Sequence, residues 1–172
     1  SGDAVGNNNP LNVTMNSNMV ITGNFLPYPA YTFTLITNGQ GTIALNPQGG
    51  SYLSNSVVTV TATPATGWVF TSWTGSTNST ANPLSFTVDE DSSLAGSFAQ
   101  LPAFDLQPLG VTNAMGSTVS FSAHAVGSAP LNYQWFFSNG SLTGATNDTL
   151  TLTNASSGQT GNYWIIATNN YG

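Results

Sequence analysis

Along most of this sequence apolar and polar residues alternate one for one. The pattern is plain in YTFTLIT at 31–37, VVTVTAT at 57–63, PLSFTV at 83–88 and STVSFSAHAV at 117–126. Successive side chains of an extended strand point to opposite faces, so this alternation fits strands with one buried face. The runs are rich in Val, Thr, Phe and Tyr and are bounded by Gly, Asn and Pro, which favour strands and turns respectively. No window carries the 3.6-residue spacing of an amphipathic helix. The chain therefore reads as all-β, built from tandem small β domains with short strands.

Charge narrows the function further. The 172 residues contain no Lys and no Arg, six acids and one His, for a net charge of −6. Phosphate backbones and anionic headgroups are held by cationic side chains, so neither nucleic acid nor an anionic membrane surface is an expected partner. No apolar run approaches the roughly 20 residues of a spanning helix, so membrane insertion is not expected either. Cysteine is absent. Disulfides and thiolate metal sites are therefore excluded, and cohesion must come from apolar burial and backbone ladders. Ser, Thr, Asn and Gly take the surface positions that charges usually fill. Five N-x-S/T sequons stand as candidate glycosylation sites, at Asn12, Asn78, Asn139, Asn147 and Asn154.

An internal repeat sets the boundaries. NPLNVTMNSNMVITGNF at 9–25 aligns with residues 82–98 at an offset of 73, matching Asn, Pro, Leu, Thr, Gly and Phe positions. Residues 1–26 thus read as the closing hairpin of a preceding, truncated repeat, and residues 27–99 as a full one. The order of marks in the full copy is a Gly-rich hairpin near Gly39–Gly41, then ALNPQGGSY, VTVTATPATGWVF, SWTG and a closing NP…F. In this order they resemble the divergent internalin-type B-repeat of bacterial surface proteins. The family's closing hairpin usually carries a Lys near its turn, where Met19 and Ser92 or Ser93 stand here.

LPAFDLQP at 101–108 reads as a linker into residues 100–172. From there the chain resembles a bacterial immunoglobulin-like (I-set-like) domain. Ala123 and Trp135 have the spacing of the B-strand cysteine and C-strand tryptophan, and GNYWIIATNNYG fits the F strand. The resemblance implies a tyrosine corner at Tyr163, with Gln159 where an Asp is usual, and an Ala123–Ile165 contact in place of the disulfide. It also implies a β-sandwich whose last strand would follow Gly172. Phe70, Trp73, Trp135, Tyr163, Ala123 and Ile165 are the expected core.

Few residues could carry chemistry. Glycoside hydrolysis needs two carboxylates held across a cleft. Asp89, Glu90 and Asp91 instead fall together in a hairpin turn, and Asp3, Asp105 and Asp148 fall in loops. His124 is the only imidazole and has no Cys or second His for a metal site. NGQG at 38–41 lacks a following Lys and a helix, so a hairpin turn is expected there and not a phosphate loop. No catalytic residue, metal or cofactor is expected, and the chain does not read as an enzyme.

The aromatics point to contacts. With Tyr163 and Ile165 inward, alternation turns Trp164 and Ile166 outward; with Trp135 inward, Gln134 and Phe136 turn outward. The C and F strands are neighbours in the resembled fold, so Phe136, Trp164, Ile166 and Gln134 are expected to form one exposed patch. Uncharged, Thr-rich strand edges also invite strand addition. Leu11, Val13, Met15, Val20 and Phe25 form a candidate strand-exchange segment. The expectation is a structural module of a secreted, multi-repeat surface protein, a filament or sheath subunit or an adhesin stalk. Its partners would be copies of itself or adjacent repeats, and glycans in addition. The alternative is a non-catalytic spacer or carbohydrate-binding region of a secreted polysaccharide-degrading enzyme.

Overall fold

A computed structural model describes residues 10–23 and 27–172. Among the described residues regular structure consists of fourteen strands and one 3-10 turn at Ser157–Gln159. The first seven are β1 Ala30–Asn38, β2 Gly41–Asn46, β3 Ser51–Leu53, β4 Ser56–Pro64, β5 Trp68–Gly75, β6 Leu84–Val88 and β7 Ser92–Gln100. They form two sheets, ordered β3-β1-β7-β5 and β2-β4-β6. Strands β1 and β7 run parallel, and the other pairs are antiparallel.

The alternation seen in the sequence becomes the core between these sheets. Phe33, Tyr52, Trp73, Leu94 and Phe98 from one sheet meet Val58, Val60, Ala62 and Val88 from the other. Gly96 lies under this contact: a Cβ there would sit 2.8 Å from both Ile43 Cδ1 and Trp73 Cζ3. Only a residue without a side chain lets the Trp73 indole lie flat against β7. The indole N–H then donates to the carbonyl of Ala81 at 2.9 Å, so its single polar atom is satisfied inside the apolar layer. Asn82 extends the β4–β6 pairing with its side chain, accepting from Ala62 N–H at 2.8 Å and donating to Ala62 O at 2.7 Å.

The second unit comprises β8 Ala103–Leu106, β9 Val119–Ser122, β10 His124–Val126, β11 Asn132–Phe137, β12 Gly140–Ser141, β13 Thr149–Leu152 and β14 Tyr163–Thr168. Strands β8 and β10 pair, as do β9 and β13, while a three-stranded sheet runs β12-β11-β14. Its core is Ala123, Trp135, Leu150 and Ile165, flanked by Phe121 and Tyr163. Ala123 and Ile165 both lie in this cluster, so aliphatic packing occupies the position of a disulfide. The Tyr163 hydroxyl donates to the main-chain carbonyl of Gln159 at 2.8 Å. The side chain at 159 is not needed for that bond, and it accepts from the Ser156 N–H instead.

Half of the segment read as a linker is strand. Because β8 occupies Ala103–Leu106, only Leu101 and Pro102 separate it from β7. Hydrogen bonds hold this connection. Ser128 N–H donates to Gln100 O at 3.0 Å, Gln100 N–H donates to Ser128 Oγ at 2.8 Å, and Leu101 N–H donates to Gly67 O at 2.8 Å. The Asn169 amide donates to both Gln100 O and Ser128 O, at 2.8 and 2.9 Å.

Candidate functional site

The ionisable groups lie at scattered surface positions. Asp89, Glu90 and Asp91 are exposed in the β6–β7 turn. There Asp91 Oδ1 accepts from both the backbone N–H and the hydroxyl of Thr32, at 2.8 and 3.0 Å. The backbone bond, then the hydroxyl bond, holds the Asp91 carboxyl below its usual range. His124 faces outward on β10, and its Nδ1 lies 2.6 Å from Asp105 Oδ1. That hydrogen bond, more than the imidazole charge, lowers the Asp105 carboxyl. The pair is not visible in the sequence, where residues 101–108 read as linker; the β8–β10 ladder brings the two side chains together. Among the described residues no three His, Asp or Glu side chains are placed to hold a metal ion. Both ion-paired side chains are about half exposed, so neither has the enclosed setting in which acid–base chemistry is tuned.

The outward face of β11 and β14 is different. Their ladder sets Phe136 opposite Trp164 and Gln134 opposite Ile166. The Phe136 and Trp164 rings stack with centroids 5.4 Å apart and planes 3° apart. Trp164 remains 38% exposed and Ile166 45%. Gln134 is committed to its own domain, its amide donating to Trp135 O and Leu142 O at 2.8 Å each. The result is an apolar strip of Phe136, Trp164 and Ile166 bordered by a fixed amide. Among the described residues, strand β14 has a strand neighbour on one side only. Near its start an open cleft of about 350 Å³ is floored by Phe121, Leu152 and Tyr163 and walled by Val111 and Met115.

The residues proposed for strand exchange fall partly within the described chain. Residues 10–23 contain no strand. Leu11, Met15 and Val20 are exposed, Val13 is half-buried, and Phe25 lies outside the described residues. The offset of 73 shows what such a segment needs. Leu11, Val13 and Met15 correspond to Leu84, Phe86 and Val88, which face the core of the folded copy. Ile21 corresponds to the fully buried Leu94, whereas Val20 falls on the exposed Ser93. The sequon residues Asn12, Asn78, Asn139, Asn147 and Asn154 are all exposed. Of the aromatic core residues, Trp73 and Trp135 are fully buried, and Phe70 packs on Trp73 at 5.0 Å.

Fold and surface together define a tandem of small all-β domains with a partly exposed apolar strip on β11 and β14. Residues 31–102 match the divergent InlB B-repeat domain, and residues 102–169 match the immunoglobulin domain. The chain is thus built as a divergent InlB B-repeat domain followed by an immunoglobulin domain. Such domains are typical of extracellular or surface proteins and are typically non-catalytic. Drosophila OTK extracellular domains 3-5 are similar at 12% identity and a TM-score of 0.44, over 83% of this chain and 56% of that one. The titin I-band fragment I67-I69 is similar at 12% identity and a TM-score of 0.42, over 82% and 59%. The chain therefore spans somewhat over half the length of these two structures. No curated protein matches the sequence. Among the described residues no helix is long and apolar enough to cross a membrane.

Proposed function

We propose that this chain is a non-enzymatic structural module of an extracellular or cell-surface repeat protein. It builds a filament, sheath or adhesin stalk through strand addition and apolar contact between repeats. The observation that carries the reading is the stacked Phe136–Trp164 pair with Ile166, on the face of a strand whose outer edge has no neighbour among the described residues. A sheet edge supplies backbone donors and acceptors to an incoming strand, and an adjacent apolar strip supplies burial and register. Nothing cationic guards the edge, since the chain has no Lys or Arg. Residues 10–23 are the matching donor: uncharged, with apolar side chains at alternate positions from Leu11 to Met15, and not part of a strand.

Sedimentation velocity over a concentration series tests this. The wild type is expected to associate, with extended particles in electron micrographs, and Trp164→Ser is expected to shift it toward monomer. A wild type that stays monomeric while it binds insoluble polysaccharide would instead support the carbohydrate-binding alternative.

A further inference from the structure

The first and last strands of the B-repeat domain, β1 and β7, are neighbours, and they run parallel. Six register pairs join them, from Phe33 opposite Ser92 to Asn38 opposite Ser97. In a parallel pair the start of one strand and the end of the other lie at opposite ends of the ladder. Tension applied at Ala30 and Gln100 would therefore slide one strand along the other and load the slanted ladder bonds together. A pull applied at the two strand starts would open the same bonds one after another. Bonds that must break together resist far more than bonds that peel, and such resistance is a property of the unfolding rate.

The surroundings brace this pair. Where β1 begins, Asp91 takes both donors of Thr32 and ties it to the start of β7. On its other side β7 is held by β5, from Trp68 opposite Gln100 to Gly75 opposite Leu94. Where β7 ends, Leu101 N–H donates to Gly67 O and the Asn169 amide donates to Gln100 O. The path of a pull thus enters and leaves through hydrogen-bonded residues, with two residues of connection before β8.

We propose that residues 30–100 are a shear clamp, a domain that carries tension between neighbouring repeats without unfolding. The use of such strength rests on the stalk or filament reading above; the strength itself does not. The absence of cysteine allows handles to be placed at chosen pairs of exposed positions. One variant combines Pro29→Cys with Ala103→Cys and loads the pair in shear. The other combines Pro29→Cys with Glu90→Cys and peels it. In single-molecule pulling at one loading rate, the 29/103 variant is expected to rupture at a several-fold higher force than the 29/90 variant. Equal or lower force in the 29/103 geometry overturns the proposal. Circular dichroism checks that both variants are folded, and Tyr28→Cys with Asp89→Cys replaces any handle that disturbs the fold. Filaments built from a mechanically weak domain would overturn the clamp alone, and a strong domain that stays monomeric would overturn the assembly reading alone.

Discussion

Gly96 shows how a single residue can fix the packing of a sheet. Its missing Cβ leaves the space that the Trp73 ring occupies, and Trp73 is fully buried. Gly96→Ala is expected to destabilise the domain by about 1–3 kcal/mol, the usual cost of overpacking, measured by denaturant unfolding. Asp91 contributes differently. Its carboxyl is held low by the Thr32 bonds, so its folded-state pKa lies below the unfolded value of roughly 3.9. Its contribution is full above that value and is lost as pH falls through the lower folded pKa. Asp91→Asn is therefore expected to melt below the wild type at pH 7, with the gap closing toward pH 2. Melting curves that stay parallel across that range would remove Asp91 from the account. The Asp105–His124 bond acts in the same direction, so the variant should keep part of the acid sensitivity.

At the level of elements, the alternation was legible because it depends only on a period of two. The strands of both domains and the inward Val58, Val60 and Ala62 follow from it. The outward Phe136, Trp164 and Ile166 follow from counting one residue away from Trp135 and Ile165. The parallel β1–β7 pairing was not legible, since nothing local marks which distant strands become neighbours. The junction was misread for a related reason: two prolines in LPAFDLQP suggested a loose connection, yet Ala103–Leu106 pairs with β10. Asn169 gave no signal at all, because an Asn just past a strand has many roles and its two acceptors lie 69 and 41 residues away. Asn169→Ala removes both bonds, leaving Gln100 O with the Ser128 N–H and taking the amide donor from Ser128 O. Both domains should stay folded, while the distance between spin labels in the two domains should spread from one narrow distribution to a broad one. An unchanged narrow distribution would mean that the remaining junction bonds suffice.

For the whole molecule, a sequence without a single Lys or Arg builds two small β domains from apolar layers, backbone ladders and a few side-chain hydrogen bonds. Cationic side chains are a common means of keeping sheet edges apart, and this chain has none to place there. On the proposed reading, residues 10–23 and β14, which among the described residues pairs with β11 alone, are the two halves of a strand-addition contact. Hydrogen–deuterium exchange read by mass spectrometry at low and high protein concentration measures it directly. The account predicts rapid exchange in residues 10–23 and at the outer amides of β14 in dilute solution, and protection of both together as concentration rises. Exchange at those amides that stays rapid and independent of concentration would contradict it.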